Sequence, residues 1–365
     1  MLILGAGPAG SATALALLAA GVERVLLLDR DLARPFAIGE SATPDVAQHL
    51  QRLGLACDLG ALGHMPYYAN CSLWGGGAPV LDHFIRRGHS HGWHLDRAAF
   101  DRWLRQEAAA RGAQVLAPAS VDALAPAGAG WQVTLAGADM GAGVARQVSA
   151  RVLVDASGRR AALATRLGAQ QQRLDTLVAL AVHANAAGDA LNGLSLVEPF
   201  ADGWWYATCV PDGRAVVTLM TDHDIARDKN YYQPEAYLAA WRATQELAAR
   251  VPAPAQLPPS SAIQAFAAHS SFINRAAGRN WLAVGDALLA FDPLTSSGIA
   301  GALGDAPGAA AVILAQLAGD IAPAKAWAER ANRSFTRYLQ GLRQHYGHER
   351  RWPQEPFWAR RQQAV

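Results

Sequence analysis

The chain has 365 residues, enough for one large domain or two closely joined ones. Hydrophobic residues make up 51% of it and charged residues 17%, a composition that excludes a long disordered protein. The formal net charge of +2 gives no reason to expect nucleic acid as a partner. Its three cysteines, Cys57, Cys71 and Cys209, are far apart and lack a C-x-x-C spacing, so we expect neither a disulfide framework nor a metal site.

The N-terminal residues predict a cytoplasmic protein. Residues 1–4 are a short apolar run that reaches Gly5 without the basic segment of a signal peptide. Apolar runs such as Ala309–Ala315 are shorter than the roughly 20 residues that cross a bilayer, so we expect no membrane partner.

Residues 1–29 have the pattern of a strand, a turn, a helix and a second strand. Leu2–Leu4 and Val25–Leu28 are apolar runs suited to a parallel sheet that is covered on both faces. Ser11–Ala20 has a helix-forming composition. Between the first strand and this helix lies G-A-G-P-A-G, at residues 5–10.

The glycines of this turn predict a dinucleotide site. Gly5 permits the tight turn, Gly7 lets a pyrophosphate approach the backbone, and Gly10 lets the helix and the strand pack closely. The anion would lie at the helix N-terminus, where free N–H groups and the dipole favour negative charge. Asp29 ends the second strand, where a carboxylate can accept a bond from a ribose hydroxyl. The residues predicted to contact the nucleotide are Gly5, Gly7, Ala9, Gly10, Asp29 and Arg30.

The middle of the chain contains two kinds of segment. Residues 66–91 predict excursion strands, Asp96–Arg111 a helix, and Trp131–Leu135 and Val148–Val154 strands. From 166 to 264 the pattern changes to strands at Leu177–His183, Trp204–Val210 and Ala215–Met220 and a helix near Pro234–Arg250. We therefore predict an α/β protein with a cofactor domain of residues 1–66, 92–165 and 265–320. A mixed or antiparallel-sheet substrate domain of residues 67–91 and 166–264 is inserted in it, and a helical tail, 321–365, follows. Pro307 is expected to kink or restart the helix that contains it.

Two later segments identify the nucleotide through a family resemblance. V-L-V-D-A-S-G-R at 152–159 is an apolar strand that runs into an acid and a small-residue turn. W-L-A-V-G-D-A at 281–287 is followed by D-P-L-T-S-S-G-I at 292–299, which opens a helix. Together with the glycine turn, these segments resemble the fingerprints of the para-hydroxybenzoate hydroxylase class of flavoproteins over nearly the whole chain. The resemblance implies non-covalent FAD in a two-dinucleotide-binding, Rossmann-like fold.

The resemblance also implies roles for individual residues. In that class the residue matching Asp286 holds the ribityl chain, and the turn matching Ser297 and Gly298 places N–H groups at the flavin ring. The arginine matching Arg97 meets the FAD phosphates, although an ordinary ion pair on a helix would also explain it. The further cofactor residues implied are Arg97, Asp155, Gly285, Asp286, Pro293, Ser297, Gly298 and Ile299.

G-E-S-A-T-P at 39–44 resembles the G-E-S-x-x-P of the flavin-dependent tryptophan halogenase superfamily. This adds Glu40 and Ser41 to the implied cofactor residues, although the segment also suits the start of a helix over Pro44–Leu53. The reacting groups of halogenation are missing. Those enzymes use a lysine beyond this segment, whereas the chain has only Lys229 and Lys325, and Thr295 replaces their active-site glutamate. We therefore disfavour a halogenase.

The segment D-P-L-T-S-S-G-I at 292–299 more closely resembles that of another branch. This branch contains flavoprotein monooxygenases that modify a tryptophan in a partner protein during tryptophylquinone cofactor biogenesis. This implies that reduced FAD captures oxygen as a C4a-hydroperoxide and hydroxylates an electron-rich ring. A small indole or phenol fits the sequence almost as well as protein-bound tryptophan. The alternatives are a reductase or dehydrogenase of the geranylgeranyl reductase type and a non-catalytic flavin-binding protein. With no second complete G-x-G-x-x-G, electrons from NAD(P)H directly or from a separate flavin reductase are both open.

The catalytic candidates are Asp292, Trp204, Trp205, Tyr206 and His94. The three neighbouring aromatics lie where the class places a sheet over the flavin, with plain core positions as the alternative. Asp292 is a candidate acid or base, or else a turn cap. The histidine belongs to H-x-H-x-x-H at 89–94 and is a candidate titrating group, a surface or strand position being the alternative and a metal site disfavoured.

The C-terminal stretch His345–Arg361 mixes four arginines with four aromatic residues. It predicts either a docking surface for a protein partner or a terminal segment that packs its aromatic rings on the body of the protein.

Overall fold

The computed structural model describes residues 1–32, 37–137, 146–185, 191, 193–257 and 262–363. The helices are α1 (Pro8–Ala19), α2 (Val46–Arg52), α3 (Arg97–Ala110), α4 (Ala162–Arg166), α5 (His223–Asp228), α6 (Pro234–Arg242), α7 (Glu246–Arg250), α8 (Gly298–Leu317), α9 (Ala322–His348) and α10 (Pro356–Gln363). The strands are β1 (Leu2–Leu4), β2 (Leu26–Leu28), β3 (Ser41–Ala42), β4 (Met65–Tyr67), β5 (Ala69–Ser72), β6 (Val80–His83), β7 (Gly92–His94), β8 (Gln114–Leu116), β9 (Ser120–Ala127), β10 (Gly130–Ala136), β11 (Arg146–Ala150), β12 (Leu153–Asp155), β13 (Gln171–Arg173), β14 (Leu177–Asn185), β15 (Leu194–Phe200), β16 (Gly203–Cys209), β17 (Arg214–Asp222), β18 (Gln264–Ala267), β19 (Ser271–Ile273), β20 (Ala277–Gly278), β21 (Trp281–Ala283) and β22 (Leu289–Ala290).

A six-stranded sheet carries the glycine turn. Its order is β20-β21-β12-β1-β2-β8, and its neighbouring strands are parallel except for the β20–β21 pair. Leu2 is paired with Leu26 on one side and Leu153 on the other. The central strands are apolar on both faces because both faces of such a sheet are covered, as by α1, which packs on α3 and α8. The carboxyl ends of these parallel strands meet at one edge, which is where open α/β sheets bind ligands.

A seven-stranded sheet forms the second layer. Its order is β18-β14-β17-β16-β15-β5-β6, antiparallel except for the β15–β5 pair. One face packs with α6 and α7 around a second hydrophobic core that contains Trp205, Tyr237 and Trp241. This sheet draws its strands from both chain segments assigned to a substrate domain, and the proposed domain bounds stay a prediction.

Three small sheets complete the fold. The strands β9, β10 and β11 form an antiparallel meander, and β3, β7 and β4 bring residues 41–42 beside residues 92–94. The third sheet joins β13 to β19 and β22, so residues 171–173 pair with residues 271–273.

The C-terminal helices are part of the body rather than a solvated tail. Tyr346 on α9 and Phe357 and Trp358 on α10 are buried in the second core. Arg361 is held by the buried carboxylate of Asp222, with nitrogen–oxygen distances of 2.7 and 3.1 Å. The structure therefore favours a terminal segment that packs its aromatic rings on the body, as apolar ring area requires.

Three predicted elements differ in the structure. The helix expected near Pro234–Arg250 is two helices, because the buried carboxylate of Glu198 accepts N–H bonds from Glu246 and Leu247 and so caps a new helix start. The strand expected over Val148–Val154 is divided between β11 and β12. The helix α8 runs through Pro307 without a restart, as tertiary packing can override local preference.

The helix α8 is long and apolar enough to cross a membrane by length and composition alone, with a mean hydropathy of 1.5. The expectation that the apolar segments are too short to cross a bilayer considered unbroken apolar runs alone. It therefore missed α8, whose apolar sequence is interrupted by Asp305. A first hydrophobic core surrounds the six-stranded sheet. One side of α8, including Leu303 and Ile313, is buried in it.

Candidate functional site

A cavity of about 570 Å³ lies at the carboxyl edge of the six-stranded sheet and extends to the seven-stranded sheet. It brings together most of the residues predicted from the sequence. Those that line it are Gly5, Gly7, Ala9, Asp29, Arg30, Glu40, Ser41, Arg97, Trp204, Tyr206, Asp286, Asp292, Pro293, Ser297, Gly298 and Ile299.

The glycine turn between β1 and α1 combines close packing with open space. A Cβ on Gly5, whose φ is +107°, would lie 2.1 Å from the Ala156 oxygen, and one on Gly10 would lie 1.9 Å from the Gly5 oxygen. Neither position admits a side chain. Around Gly7, by contrast, no heavy atom of the described residues other than its chain neighbours lies within 4 Å of the place a Cβ would take. The first turn of α1 thus presents backbone N–H groups to open cavity, as an anion site at a helix N-terminus requires.

Asp29 lies at the end of β2 beside this turn. Its carboxylate accepts bonds from the N–H groups of Ala6, at 2.9 Å, and Asp31, at 3.2 Å. These bonds hold the Asp29 carboxylate at the carboxyl end of β2, where the residue lines the cavity. The neighbouring Arg30 is exposed at the same end.

A second helix N-terminus opens on the cavity at α8. Its first residue, Gly298, has no heavy atom within 4 Å of a Cβ position, and Ser297 gives the helix no side-chain cap. Ser296 before it adopts the left-handed conformation, with φ of +46°. Two uncapped helix starts facing one cavity suit a ligand with two anionic parts, such as the pyrophosphate and the reduced ring of FAD.

Glu40 supplies a further sign that the cavity is built for a ligand. The residue is only 3% exposed, and its Oε2 accepts the Gly39 N–H at 3.0 Å. Its Oε1 is buried without a hydrogen-bond partner among the described residues. Burial raises the pKa of this carboxyl to about 7, against the opposing charge of Arg97. A buried polar atom without a partner is rare, so a donor from a bound ligand is the natural complement.

Glu40→Gln is expected to stabilise the FAD-free protein above neutral pH. Because burial raises the pKa of Glu40 from 4.5 to about 7, the free energy of unfolding falls as the pH rises through this window. Glutamine removes that loss, so the variant should gain about 2 to 3 kcal/mol near pH 8 and almost nothing near pH 4.5. Urea denaturation across this range measures the difference, and a gain independent of pH would contradict a buried charge.

Arg97 makes the ordinary helix ion pair and also lines the cavity. Its guanidinium lies 3.2 Å from the Asp101 carboxylate and donates to the Ile38 carbonyl at 2.6 Å. Both explanations offered for this arginine are compatible with the structure, and its contact with a phosphate stays a prediction.

Three predicted cofactor residues, Gly10, Asp155 and Gly285, do not line the cavity but support the residues that do. Asp155 does not line the cavity, because its carboxylate accepts the N–H groups of Leu163 and Ala164, at 2.9 and 2.8 Å, and caps α4. Gly285, with φ of +56°, allows close packing, since a Cβ there would lie 2.6 Å from the Ala9 Cβ. Gly10 has the similar packing role described above. The sequence located these residues, whereas the structure assigns them supporting contacts.

The three aromatic residues of β16 divide between the two faces of the sheet. Trp204 and Tyr206 line the cavity, and the Tyr206 hydroxyl lies 2.7 Å from Ser41 Oγ. Trp205 points the opposite way, with its ring centroid 5.1 Å from that of Tyr237 in the second core. It does not line the cavity, because successive side chains of a strand face opposite sides.

His94 is placed away from the cavity. It is fully buried, stacks on Tyr67 with centroids 4.3 Å apart, and has Nε2 at 2.7 Å from Thr208 Oγ1 and 2.9 Å from Ser195 Oγ. Burial lowers its pKa to about 3, so the ring stays neutral at physiological pH. The structure thus places His94 at a buried strand position that does not line the cavity. Among the described residues, no group of three or more His, Cys, Asp or Glu side chains is arranged to hold a metal ion.

Asp292 lines the cavity just before the turn into α8, within a small polar network. The residue is 2% exposed, and its carboxylate accepts the Leu294 N–H at 2.9 Å and the Tyr346 hydroxyl at 2.8 Å. Burial raises its pKa to about 6. The turn-capping role and a lining position are therefore both present.

Two neighbours of the site were missed at the sequence level. Tyr346 lies 54 residues from Asp292 in the chain, and no local pattern connects them. Arg159 lines the cavity, lies 3.6 Å from the Asp286 carboxylate and donates to the Phe291 carbonyl at 2.8 Å. A signal for Arg159 existed, because it directly follows the small-residue turn at 156–158.

Comparisons with known proteins identify the class. The family model described as an FAD binding domain matches residues 1–328, so the chain belongs to this family of FAD-binding proteins. It is 30% identical to LodB of Marinomonas mediterranea, described as an FAD-dependent oxidoreductase, over 99% of this chain and 96% of that protein. The chain is an FAD-dependent oxidoreductase with the predicted α/β fold.

Two further relatives are described by different reactions. The solved structure of the peptidyl tryptophan dihydroxylase QhpG, which is essential for tryptophylquinone cofactor biogenesis, is 29% identical, with a TM-score of 0.77 over 99% of this chain and 78% of that one. The flavin-dependent halogenase armH3 of Armillaria mellea is 26% identical over 94% of this chain and 72% of that protein. The predicted resemblance to both branches is confirmed.

Proposed function

We propose that this chain is an FAD-dependent monooxygenase that hydroxylates an electron-rich aromatic ring, with a tryptophan in a partner protein as its substrate. The observation that carries the proposal is the part of the cavity around Asp292, which we call the substrate end. There the Trp204 indole is joined through Tyr346 to Asp292, which comes just before the turn into α8, and Tyr206 lines the same cavity. The similarity to a peptidyl tryptophan dihydroxylase supports the choice of ring.

The residues present fit FAD, and they divide the work of the reaction. The α1 N-terminus with Gly7 and Asp29 would hold the nucleotide, and the α8 N-terminus with Gly298 would hold the flavin. When bound and reduced, FAD would supply two electrons and the activated oxygen.

The chain supplies the surroundings of the reacting ring. Met220, Phe266 and Phe291 also line the cavity, and their apolar side chains would help to exclude water from a bound ring. Trp204 would orient an aromatic ring by packing against it. The Asp292 carboxylate would accept the proton that leaves the ring, because its pKa of about 6 keeps it ionised at neutral pH.

Halogenation is the second candidate, supported by the similarity to halogenases. The lining of the cavity speaks against it. Lys229 has a side chain that is 57% exposed and lies 3.9 Å from Asp202, and neither it nor Lys325 is among the lining residues. Thr295, in place of a glutamate, occupies the turn before α8. Without a lysine or this glutamate, the groups that those enzymes use to handle hypohalous acid are missing from the cavity.

The test supplies photoreduced FAD, labelled O₂ and a tryptophan-containing peptide, in buffers with and without bromide. Mass spectrometry should find one labelled oxygen atom for each hydroxyl added, in both buffers. Free indole and phenol form separate arms, and faster hydroxylation of these would shift the substrate to a small molecule. A brominated peptide would support the halogenase, and no product with any substrate would overturn both. Adding NAD(P)H in place of light shows whether the chain accepts electrons directly or requires a flavin reductase.

A further inference from the structure

A three-residue hydrogen-bond chain runs from the cavity wall to Asp292. The Trp204 indole N–H donates to the Tyr346 hydroxyl oxygen at 3.0 Å, and that hydroxyl donates to Asp292 Oδ2 at 2.8 Å. All three residues are at most 2% exposed. Trp204 lies on β16, Tyr346 on α9 and Asp292 just before the α8 turn, so three distant segments meet here.

The direction of this chain is determined by its ends. An indole N–H can only donate, so the Tyr346 oxygen accepts from Trp204 and its own proton is left for Asp292. The other carboxylate oxygen, Oδ1, accepts the Leu294 N–H at 2.9 Å, and a backbone N–H can only donate as well. Both oxygens of Asp292 thus face donors that favour the ionised carboxylate over the acid.

The C-terminal segment holds Tyr346 in place. The Arg361 guanidinium lies 5.3 Å from the Tyr346 ring centroid and 3.6 Å from that of Phe357, and it pairs with the buried Asp222. The Trp358 indole donates to the Phe200 carbonyl at 2.8 Å. Since Tyr346 itself is buried in this cluster, its hydroxyl has little freedom to choose another partner.

We propose that Tyr346 is a positioning residue that holds Asp292 as the ionised group that receives the ring proton. This rests on the proposed hydroxylation. In that reaction one atom of O₂ forms the new carbon–oxygen bond and the other leaves as water. The two electrons come from reduced FAD, and the proton of the broken ring C–H bond passes to the Asp292 carboxylate.

The other side chains around Asp292 act on it in other ways than by donating a hydrogen bond to its carboxylate. The Tyr338 hydroxyl, also on α9, accepts the backbone N–H of Asp292 at 2.9 Å rather than bonding to the carboxylate. Arg361 on α10 lowers the pKa of Asp292 through its charge, Asp175 raises it, and burial raises it most. Of the side chains around Asp292 in the part of the chain that the structure describes, Tyr346 is the one that donates to the carboxylate itself.

Tyr346→Phe tests the proposal, with Tyr338→Phe as the matched control. Losing one donor to a carboxylate should raise the pKa of Asp292, so the acid limb of the kcat profile should move up by about one pH unit. At high pH the variant should return to within about threefold of wild-type kcat, because the carboxylate is then ionised again. Tyr338→Phe should leave the acid limb in place, and FAD retention should be equal in all three proteins.

An infrared titration of the oxidised enzyme without substrate gives a readout independent of turnover. The carboxyl band that Asp292→Asn removes should titrate about one pH unit higher in Tyr346→Phe than in wild type. An unmoved band, or a kcat lowered equally at every pH, would overturn the role of Tyr346. If wild-type enzyme forms no hydroxylated product, the proposed function fails instead, and the band alone decides whether Tyr346 sets the pKa of Asp292.

Discussion

Gly7→Val should give a folded protein that purifies without FAD. The position has an extended backbone, with φ of −78° and ψ of −169°, and a Cβ there would have no heavy atom of the described residues within 4 Å except those of its chain neighbours. The valine side chain would fill the space in front of the first N–H groups of α1, where the cofactor's pyrophosphate is expected. The absorbance of bound flavin relative to protein, before and after incubation with excess FAD, measures the loss.

Gly301→Val is the matched control for this experiment. Gly301 also has no heavy atom within 4 Å of a Cβ position, but it is exposed on α8 and does not line the cavity. We expect this variant to retain FAD as wild type does. A yellow Gly7→Val protein would show that the anion site is misplaced. Gly5 and Gly10 are unsuitable for the comparison, because backbone oxygens occupy their Cβ positions and folding itself would suffer.

Asp292→Asn is expected to lower hydroxylation about 10²- to 10⁴-fold while FAD remains bound. The amide has nearly the shape of the carboxylate but cannot take up the ring proton at neutral pH. Reduced flavin should still be reoxidised by O₂, so hydrogen peroxide should replace the hydroxylated product. Product formed per bound flavin, together with peroxide released, measures this uncoupling.

Asp155→Asn separates lost chemistry from lost stability. Asp155 is as buried as Asp292, but it caps α4 and does not line the cavity. This variant should lose about 1 to 3 kcal/mol of unfolding free energy and keep its turnover per bound flavin. Full hydroxylation by Asp292→Asn would mean that the ring proton leaves to a different acceptor.

The proposed mechanism places the cofactor and substrate functions on different parts of the chain. The helix starts at Gly7 and Gly298 belong to the six-stranded sheet and its covering helices, whereas Trp204 and Tyr206 belong to the seven-stranded sheet. A relative in this family can therefore keep the flavin site and change its substrate by changing the residues of β16 and their neighbours.

The sequence by itself predicted the two turns that line the cavity and that we propose hold the cofactor. A turn such as residues 5–10 is local, because the positive φ at Gly5, the open position at Gly7 and the helix start all depend on adjacent residues. The same holds for the turn before Gly298. Short-range backbone geometry of this kind leaves a pattern in the order of residues.

Only the tertiary structure decided which side chains meet at the proposed substrate end of the cavity. The alternation along β16 follows from strand geometry, but only packing against Tyr237 and Trp241 selects the side that Trp205 faces. The ring of His94 lies outside the cavity, because it forms hydrogen bonds with residues of β15 and β16. The bond from Tyr346 to Asp292 joins residues 54 positions apart. Such contacts depend on how separate layers are packed, and no spacing in the chain encodes that distance.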